Sequence, residues 1–292
     1  MRAIVVGASG FVGRALLASL GPARGVGTCH RNPLPGGVAF DATAERFRDL
    51  LARLPGPFSH AIFLHGIIDV ERCAADPVGT ARVNVDGLGR MIDDALGAGL
   101  VPVFSSSDYV FDGARGGYRE TDPPDPCTEY GRQKLAVEQY LAAVTEPWLV
   151  VRLSRVVGTM RGTHSVLGPW IDALRAGGKM RLAVDQRFSP ADVRDVAGGW
   201  TRLLETGATG LFHLAGPLAY SRMALLQLLR HHLRRVDLSI ATELEPCCLH
   251  DLPFRERRPL DTSLLIDKLQ THLAWPFRRM EDVCAEAVAR AP

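Results

Sequence analysis

The chain has 292 residues, of which 47% are hydrophobic and 23% charged, with a formal net charge of +2. That length can bury a substantial core in one large α/β unit or two joined lobes, and a composition without low-complexity tracts excludes an intrinsically disordered chain. Scattered arginines and a near-neutral balance offer no basic face for nucleic acid, and no apolar stretch approaches the roughly 20 residues that span a membrane.

The apolar segment Ala3-Ile4-Val5-Val6-Gly7 at the start is too short for a signal peptide, so a cytoplasmic location is expected. It opens a βαβα rhythm. Strands are predicted at 3–7, 25–29, 60–65, 101–106 and 148–153, with helices at 11–20, 43–54, 78–98 and 129–144 between them. This alternation predicts an α/β fold, a Rossmann-type doubly wound parallel sheet. After Arg152 the rhythm loosens at Gly162, Gly168-Pro169 and Gly177-Gly178, and the chain is expected to leave the sheet there. A helix at 192–205 and a buried strand at 210–216 bring it back. Residues 1–158 and 190–217 are thus expected to form a dinucleotide-binding lobe. A smaller, discontinuous substrate-binding lobe would take 159–189 and 218–292, with a helix near 222–234, a proline-bearing segment at 246–259 and a last helix near 280–290.

Six cysteines, including the adjacent Cys247 and Cys248, lack Cys-x-x-Cys spacing and are expected to be reduced structural thiols. The histidines have no paired spacing for zinc, and His231-His232 point in different directions on a helix, so no metal site is expected.

Gly7-Ala8-Ser9-Gly10-Phe11-Val12-Gly13 joins the first strand to the first helix, where a Rossmann unit holds pyrophosphate. Gly7 would permit the tight turn, Gly10 the approach of phosphate to the backbone, and Gly13 the close packing of the helix. At the end of the second strand stands Thr28-Cys29-His30-Arg31, with no carboxylate to bond a ribose 2′-OH. Arg31 suits a 2′-phosphate and favours NADP(H), although a solvated loop arginine would look the same. Asp41 either faces the adenine or caps the helix expected near Thr43.

Ser107 falls where the strand 101–106 ends, at the carboxyl edge of the sheet where ligands bind in such folds. Tyr130 and Lys134, four residues apart, share a helix face, so the ammonium is expected to lower the phenol's pKa. A hydroxyl, a phenol and an ammonium together can reduce a carbonyl, with Tyr130 delivering the proton and Lys134 also binding the cofactor ribose.

Nearly the whole chain resembles the extended short-chain dehydrogenase/reductases, and among them the dTDP-4-dehydrorhamnose reductase family. The resemblance is carried by the glycine loop, Val83-Asn84-Val85-Asp86-Gly87, Ser107-Asp108-Tyr109-Val110-Phe111-Asp112-Gly113, Tyr130 to Glu138, Asp185-Gln186 and Arg258-Pro259-Leu260-Asp261. It implies that Ser107, Tyr130 and Lys134 are catalytic and that Asn84 supports a water-linked proton path; from the residue alone, Asn84 could be a buried amide satisfied by backbone. It further implies a cofactor contact at His65-Gly66, beside His30 and Arg31, and a nucleotide-sugar substrate facing Asp108, Tyr109, Val110, Asp185, Gln186, Arg187 and Arg258. Arg187 would bind diphosphate or simply coat the surface.

Departures from the family pattern touch the substrate side. Ser replaces the usual Thr at 107, His65-Gly66 stands for Ala-Ala, Ile67-Ile68 replaces a stretch with polar character, and Asp185 to Ala191 departs from Asp-Gln-x-Gly-x-Pro-Thr. The expected activity is NADPH-dependent reduction of dTDP-4-dehydrorhamnose or a relative; a homodimer stays open. Dehydratases resemble one another in an Asp-Glu pair that Asp108-Tyr109 lacks, and epimerases carry an acid after the second strand where this chain has Arg31. A third alternative is a non-catalytic regulatory subunit similar to the methionine adenosyltransferase β subunit. Such a subunit inserts a terminal peptide into its partner, whereas Met280 to Pro292 is predicted as an amphipathic helix.

Overall fold

The structure, a computed structural model, describes residues 1–159, 165–237 and 239–291; Gly162 lies outside them. Strand β1 (Ala3–Val6) is buried at every position, as a central strand covered on both faces must be. Around it a seven-stranded parallel sheet forms from β2 (Gly25–Cys29), β3 (Val38–Ala39), β4 (His60–Phe63), β5 (Val101–Ser107), β6 (Leu149–Leu153) and a strand at Gly210–Leu214. From one edge the order is β3-β2-β1-β4-β5-β6 and then Gly210–Leu214. The order reverses between β1 and β4, and a doubly wound sheet opens its ligand crevice at such a switch point.

Helices cover both faces. Helix α1 (Phe11–Leu20) leaves β1 directly, and its N-cap residue Gly10 makes no side-chain cap, so the first-turn N–H groups keep their capacity for an external acceptor. Helix α2 (Phe47–Ala52) is shorter than the predicted 43–54, because Asp41 accepts from the Thr43 backbone at 2.9 Å and hydroxyl at 2.7 Å and holds a turn ahead of it. Asp41 therefore does not cap this helix, whose N-cap residue is Arg46. The predicted helix 78–98 is three elements: α4 (Pro77–Ala81), a π-helical turn at Arg82–Gly87 and α5 (Leu88–Gly97). A further short helix, α3 (Val70–Ala75), precedes them. Asp69 and Asp76 start α3 and α4 by accepting from Arg72 and Gly79 backbone N–H groups, with Pro77 at the first helical position of α4.

Helix α6 (Glu129–Val144) is capped by Thr128, whose hydroxyl accepts from Gly131 N–H at 3.1 Å. Gly131 packs so tightly that a Cβ there would collide with the Tyr109 carbonyl oxygen. This contact seats the first turn of α6 on the 3₁₀ turn Asp108–Val110 that ends β5.

Past β6, helix α7 (Leu167–Ala176) includes Gly168-Pro169 in its first turn, where proline is tolerated, so those residues do not interrupt structure. Gly177 and Gly178, at φ of +78° and +84°, end this helix, which the sequence had not predicted. A parallel strand pair follows, Lys179–Ala183 with Glu243–Cys247. Helix α8 (Val193–Glu205) returns to pack on α1, and α9 (Arg222–Val236), α10 (Asp267–Leu273) and α11 (Met280–Ala289) complete the chain.

Three hydrophobic clusters hold these pieces. Two flank the sheet, one with Val5, Ile62, Trp200 and Leu214, the other with Ile4, Phe47, Phe63 and Leu88. The third joins Leu167, Trp170, Leu226, Leu229, Val283 and Cys284, so the last helix is seated in a core on its apolar face. Leu264, Ile266 and Leu269 pack with Trp200 in the first cluster, so the stretch before α11 rests against the sheet side of the molecule.

Candidate active site

A cavity of about 440 Å³ opens at the switch point, between the carboxyl ends of β1, β4, β5 and β6. The glycine loop forms one wall through Gly7, Ser9, Gly10, Phe11, Val12 and Gly13, and His65-Gly66 extends it. Ser107, Asp108, Tyr109, Tyr130 and Lys134 form the other, with Gln186 beyond them. Gly7 makes the tight turn and Gly13 the close helix packing that the sequence suggested. Gly7 sits at φ +86°, and a Cβ on Gly13 would collide with the Gly7 carbonyl and lie 2.7 Å from Ala8 Cα. At Gly10 a Cβ would meet only the Gly7 carbonyl, at 3.3 Å, so the space beside that residue faces outward. The Gly7 N–H donates to Thr28 Oγ1 at 3.2 Å, and Arg14, unremarked in the sequence, donates to the Ser9 and Pro33 carbonyls at 2.9 and 2.7 Å, fixing the loop against the end of β2.

Tyr130 faces Tyr109 edge-on at 6.0 Å between ring centroids. Burial raises its phenol well above the ordinary value, opposed in part by the Ser107 hydroxyl. The net direction is upward, whereas the sequence predicted a lowering. The ammonium instead donates to the Ser105 carbonyl at 2.8 Å, lies over the Phe104 ring, and has its own pKa lowered to about 8 by burial, with Glu138 acting against that shift. Beneath it Glu138, Arg152 and Ser106 form a buried network: Arg152 donates twice to Glu138, at 2.9 and 2.6 Å, and Ser106 donates to the same carboxylate. The network ties α6 to the ends of β5 and β6 and so fixes Tyr130 and Lys134 relative to Ser107.

Ser107 donates to Asp108 at 3.0 Å and accepts from Tyr109 N–H at 3.2 Å. Asp108 also accepts from Ser154 at 2.9 Å and Thr262 at 2.8 Å, and burial raises its pKa against these three hydroxyls. The His65 imidazole has both ring nitrogens buried without a partner, and its pKa is lowered to about 4, first by burial and then by Lys134.

Several expected site residues are not brought to the cavity wall. Val110 is fully buried in the sheet cluster. Asn84 accepts from Ile67 N–H at 2.7 Å and donates to the Ile67 carbonyl at 2.9 Å and to Gln133 at 2.8 Å, so its amide braces the loop after β4. Asp185 accepts from Leu249 N–H at 2.8 Å and turns toward Cys248 and His250. The potential ligand atoms of those three residues lie within 4.8 Å of one another, a grouping that sequence spacing did not show. Arg187 is half exposed and pairs with Asp261 at 3.3 Å, and Arg258 is buried against Glu71 and the Phe254 ring. His30 and Arg31 lie just outside, next to Asn32, which does line the cavity. A carboxylate does reach this place: β3 carries Asp41 back to 3.4 Å from the His30 imidazole, which the residues 28–31 alone could not reveal. The sequence reading also missed Arg155, Ser154 and Phe188, which line the far end.

A glycine loop at the switch point and a serine, tyrosine and lysine on the opposite wall of one cavity define an extended short-chain dehydrogenase/reductase. The family model of the RmlD substrate binding domain matches residues 1–291, and the chain belongs to that family, the dTDP-4-dehydrorhamnose reductase family. It is 30% identical to the probable low-salt glycan biosynthesis reductase of Haloferax volcanii, over 73% of this chain and 71% of the relative. It is 27% identical to the methionine adenosyltransferase 2 subunit beta of Bos taurus, over 74% and 67%. Among solved structures, a dTDP-4-dehydrorhamnose reductase from Bacillus anthracis in complex with NADP superposes with a TM-score of 0.84 at 19% identity, covering 99% of each chain.

Proposed function

We propose that the protein reduces a keto-sugar nucleotide, dTDP-4-dehydrorhamnose or a close relative, with NADPH, and that Tyr130 supplies the proton. One observation carries this reading: the glycine loop and the Ser107, Tyr130 and Lys134 group line the same cavity. The kind of reaction agrees with the reductases among its relatives.

The residues fit a dinucleotide. The uncapped start of α1 and the space beside Gly10 form a cradle for pyrophosphate, and the unpartnered His65 nitrogens supply a buried donor and acceptor beside Lys134. The bound nicotinamide would supply hydride. The protein's own part is the proton. With its pKa raised, the Tyr130 phenol stays protonated at neutral pH, the form that can donate to a carbonyl oxygen as charge develops there. Ser107 would hold that oxygen by turning its one O–H from Asp108 toward it, while Asp108 stays fixed by the Ser154 and Thr262 hydroxyls. Lys134, anchored on Ser105, presents positive charge beneath the phenol and stabilises the phenolate left behind. Arg31, exposed and near Asp41, is the residue proposed to favour the 2′-phosphate of NADPH over NADH.

The test is an absorbance assay of NADPH and NADH oxidation against a panel of 4-keto sugar nucleotides. Turnover with at least one, faster or tighter with NADPH, is expected, and Arg31→Ala should erase the preference. No turnover, together with NADPH binding and a change in a partner enzyme's activity, would replace the reductase with a regulatory subunit, the role that the name of the Bos taurus relative suggests.

A further inference from the structure

The paired strands Lys179–Ala183 and Glu243–Cys247 run parallel, and Val184 N–H extends their pairing to the Cys247 carbonyl at 3.0 Å. Asp185 and Cys248 therefore leave the pair side by side, although they lie far apart in sequence. After Cys248 the chain turns through a 3₁₀ helix, Leu249–Asp251, and Leu249 N–H donates to Asp185 Oδ1 at 2.8 Å, which ties the turn to the end of the other strand. The turn brings His250 to the same place. A carboxylate oxygen of Asp185, the sulfur of Cys248 and a ring nitrogen of His250 all lie within 4.8 Å of one another. Asp251 braces the group. Its Oδ2 accepts from Cys248 N–H at 3.1 Å, and its Oδ1 lies 3.1 Å from His250 Nε2, the kind of carboxylate contact that orients a metal-binding imidazole. Among the described residues neither Asp185 nor Asp251 has an ion pair with lysine or arginine, so these acids carry no permanent counter-charge.

We infer that Asp185, Cys248 and His250 bind a divalent cation of the Zn²⁺ class, with a fourth position left to water. The donor set decides the class: thiolate and imidazole suit Zn²⁺, whereas Mg²⁺ and Ca²⁺ take oxygen ligands. On binding, the thiol gives its proton to solvent, and thiolate and carboxylate together balance the charge of the ion. Tetrahedral Zn²⁺ holds its ligands at about 2.0–2.3 Å, which sets the donor atoms roughly 3.5 Å apart, so the group closes by about an ångström as the ion enters. His250, with its side chain 79% exposed, has the room to turn inward. The ion staples the ends of the two strands and, through Asp185, steadies the adjacent Gln186 on the cavity wall. The sequence predicted no metal site, because the ligands come from two segments that only strand pairing brings together. This site is separate from the proton-transfer group and does not rest on the reductase reading.

The experiment is titration of the full chain, reduced and stripped by a chelator, with Co²⁺ followed by absorbance and with Zn²⁺ followed by calorimetry. Co²⁺ should give a near-ultraviolet sulfur-to-metal charge-transfer band and the visible bands of a tetrahedral site; Zn²⁺ should abolish both, and excess Mg²⁺ should leave them. Cys248→Ser should lose the charge-transfer band, whereas Cys247→Ser, the neighbouring thiol buried in the strand, should keep it. Asp185→Asn, Cys248→Ser and His250→Ala should each weaken Zn²⁺ by about tenfold or more, and Asp251→Asn by about tenfold, the usual effect of removing a group that orients a ligand. Zn²⁺ should also raise the melting temperature of wild type and not that of Cys248→Ser. Circular dichroism reports whether each variant has folded, and His250→Ala, at an exposed position, tests the site without touching the core. A wild-type chain without the charge-transfer band, a band that persists in Cys248→Ser, or Zn²⁺ affinity unchanged in His250→Ala would overturn the site.

Discussion

Burial acts on Tyr130 and Lys134 in opposite senses, because it penalises the charged form of each: the phenol is held protonated and the ammonium is eased toward neutrality. Lys134 titrates at about 8, below its ordinary 10.5. Below that pH the ammonium is present, and as pH rises through about 8 the charge is lost from the folded protein. NADPH affinity should therefore decline across pH 7.5–9 in wild type with a single ionisation, and the decline should be absent in Lys134→Met, which binds weakly throughout. Fluorescence titration of NADPH checks this; a flat wild-type profile to pH 10 would remove Lys134 from the cofactor site. The glycine loop and the residues of this group were legible, since each sits at a fixed offset from a strand end or on one helix face. Its electrostatics were not. Helical spacing placed the cation near the phenol, but the sequence could not show that Ser105 would take the ammonium or that the cleft would be dry enough to raise the phenol.

At the scale of elements, the glycine loop separates binding from packing. Gly10 has an extended backbone at φ −76°, ψ 174° and free space beside it, whereas Gly13 sits against Gly7 and Ala8. Gly10→Val should keep a wild-type circular dichroism spectrum and lose NADPH binding, because the branched side chain fills the phosphate cradle. Gly13→Ala should lower the melting temperature, since the new methyl forces α1 off β1. Equal cofactor affinity in Gly10→Val would make the loop merely structural. The βαβ rhythm was readable because buried strands and amphipathic helices each leave a period in the sequence. Strand β3 has two residues and the helices begun by Asp69 and Asp76 have six and five, too short for a period. Their capping aspartates were the signal available. Gly168-Pro169 misled for a related reason: proline breaks a helix interior but not a first turn.

Across the whole molecule, the cavity is assembled from residues far apart in sequence. Thr262 reaches Asp108 across 154 positions, and Gln186 comes to the site because the segment 187–188 pairs with 220–221 and with the stretch around Asp261. Such closures leave no local pattern, which is why Val110, Asp185, Arg187 and Arg258 were placed at the substrate and Arg155, which lines the cavity, was not. We propose that the cluster containing Trp170 and Leu226 is the core of a substrate-facing lobe built on the sheet. No helix among the described residues is long and apolar enough to cross a membrane. The proposed reduction depends above all on Tyr130 as the proton donor. Its most direct test compares wild type with Tyr130→Phe in NADPH affinity and in the rate of NADPH oxidation with a 4-keto sugar nucleotide. With Tyr130 as the donor, affinity should be nearly equal and the rate lower by roughly 10² to 10⁴, the usual worth of a general acid; an undiminished rate in Tyr130→Phe would contradict that role.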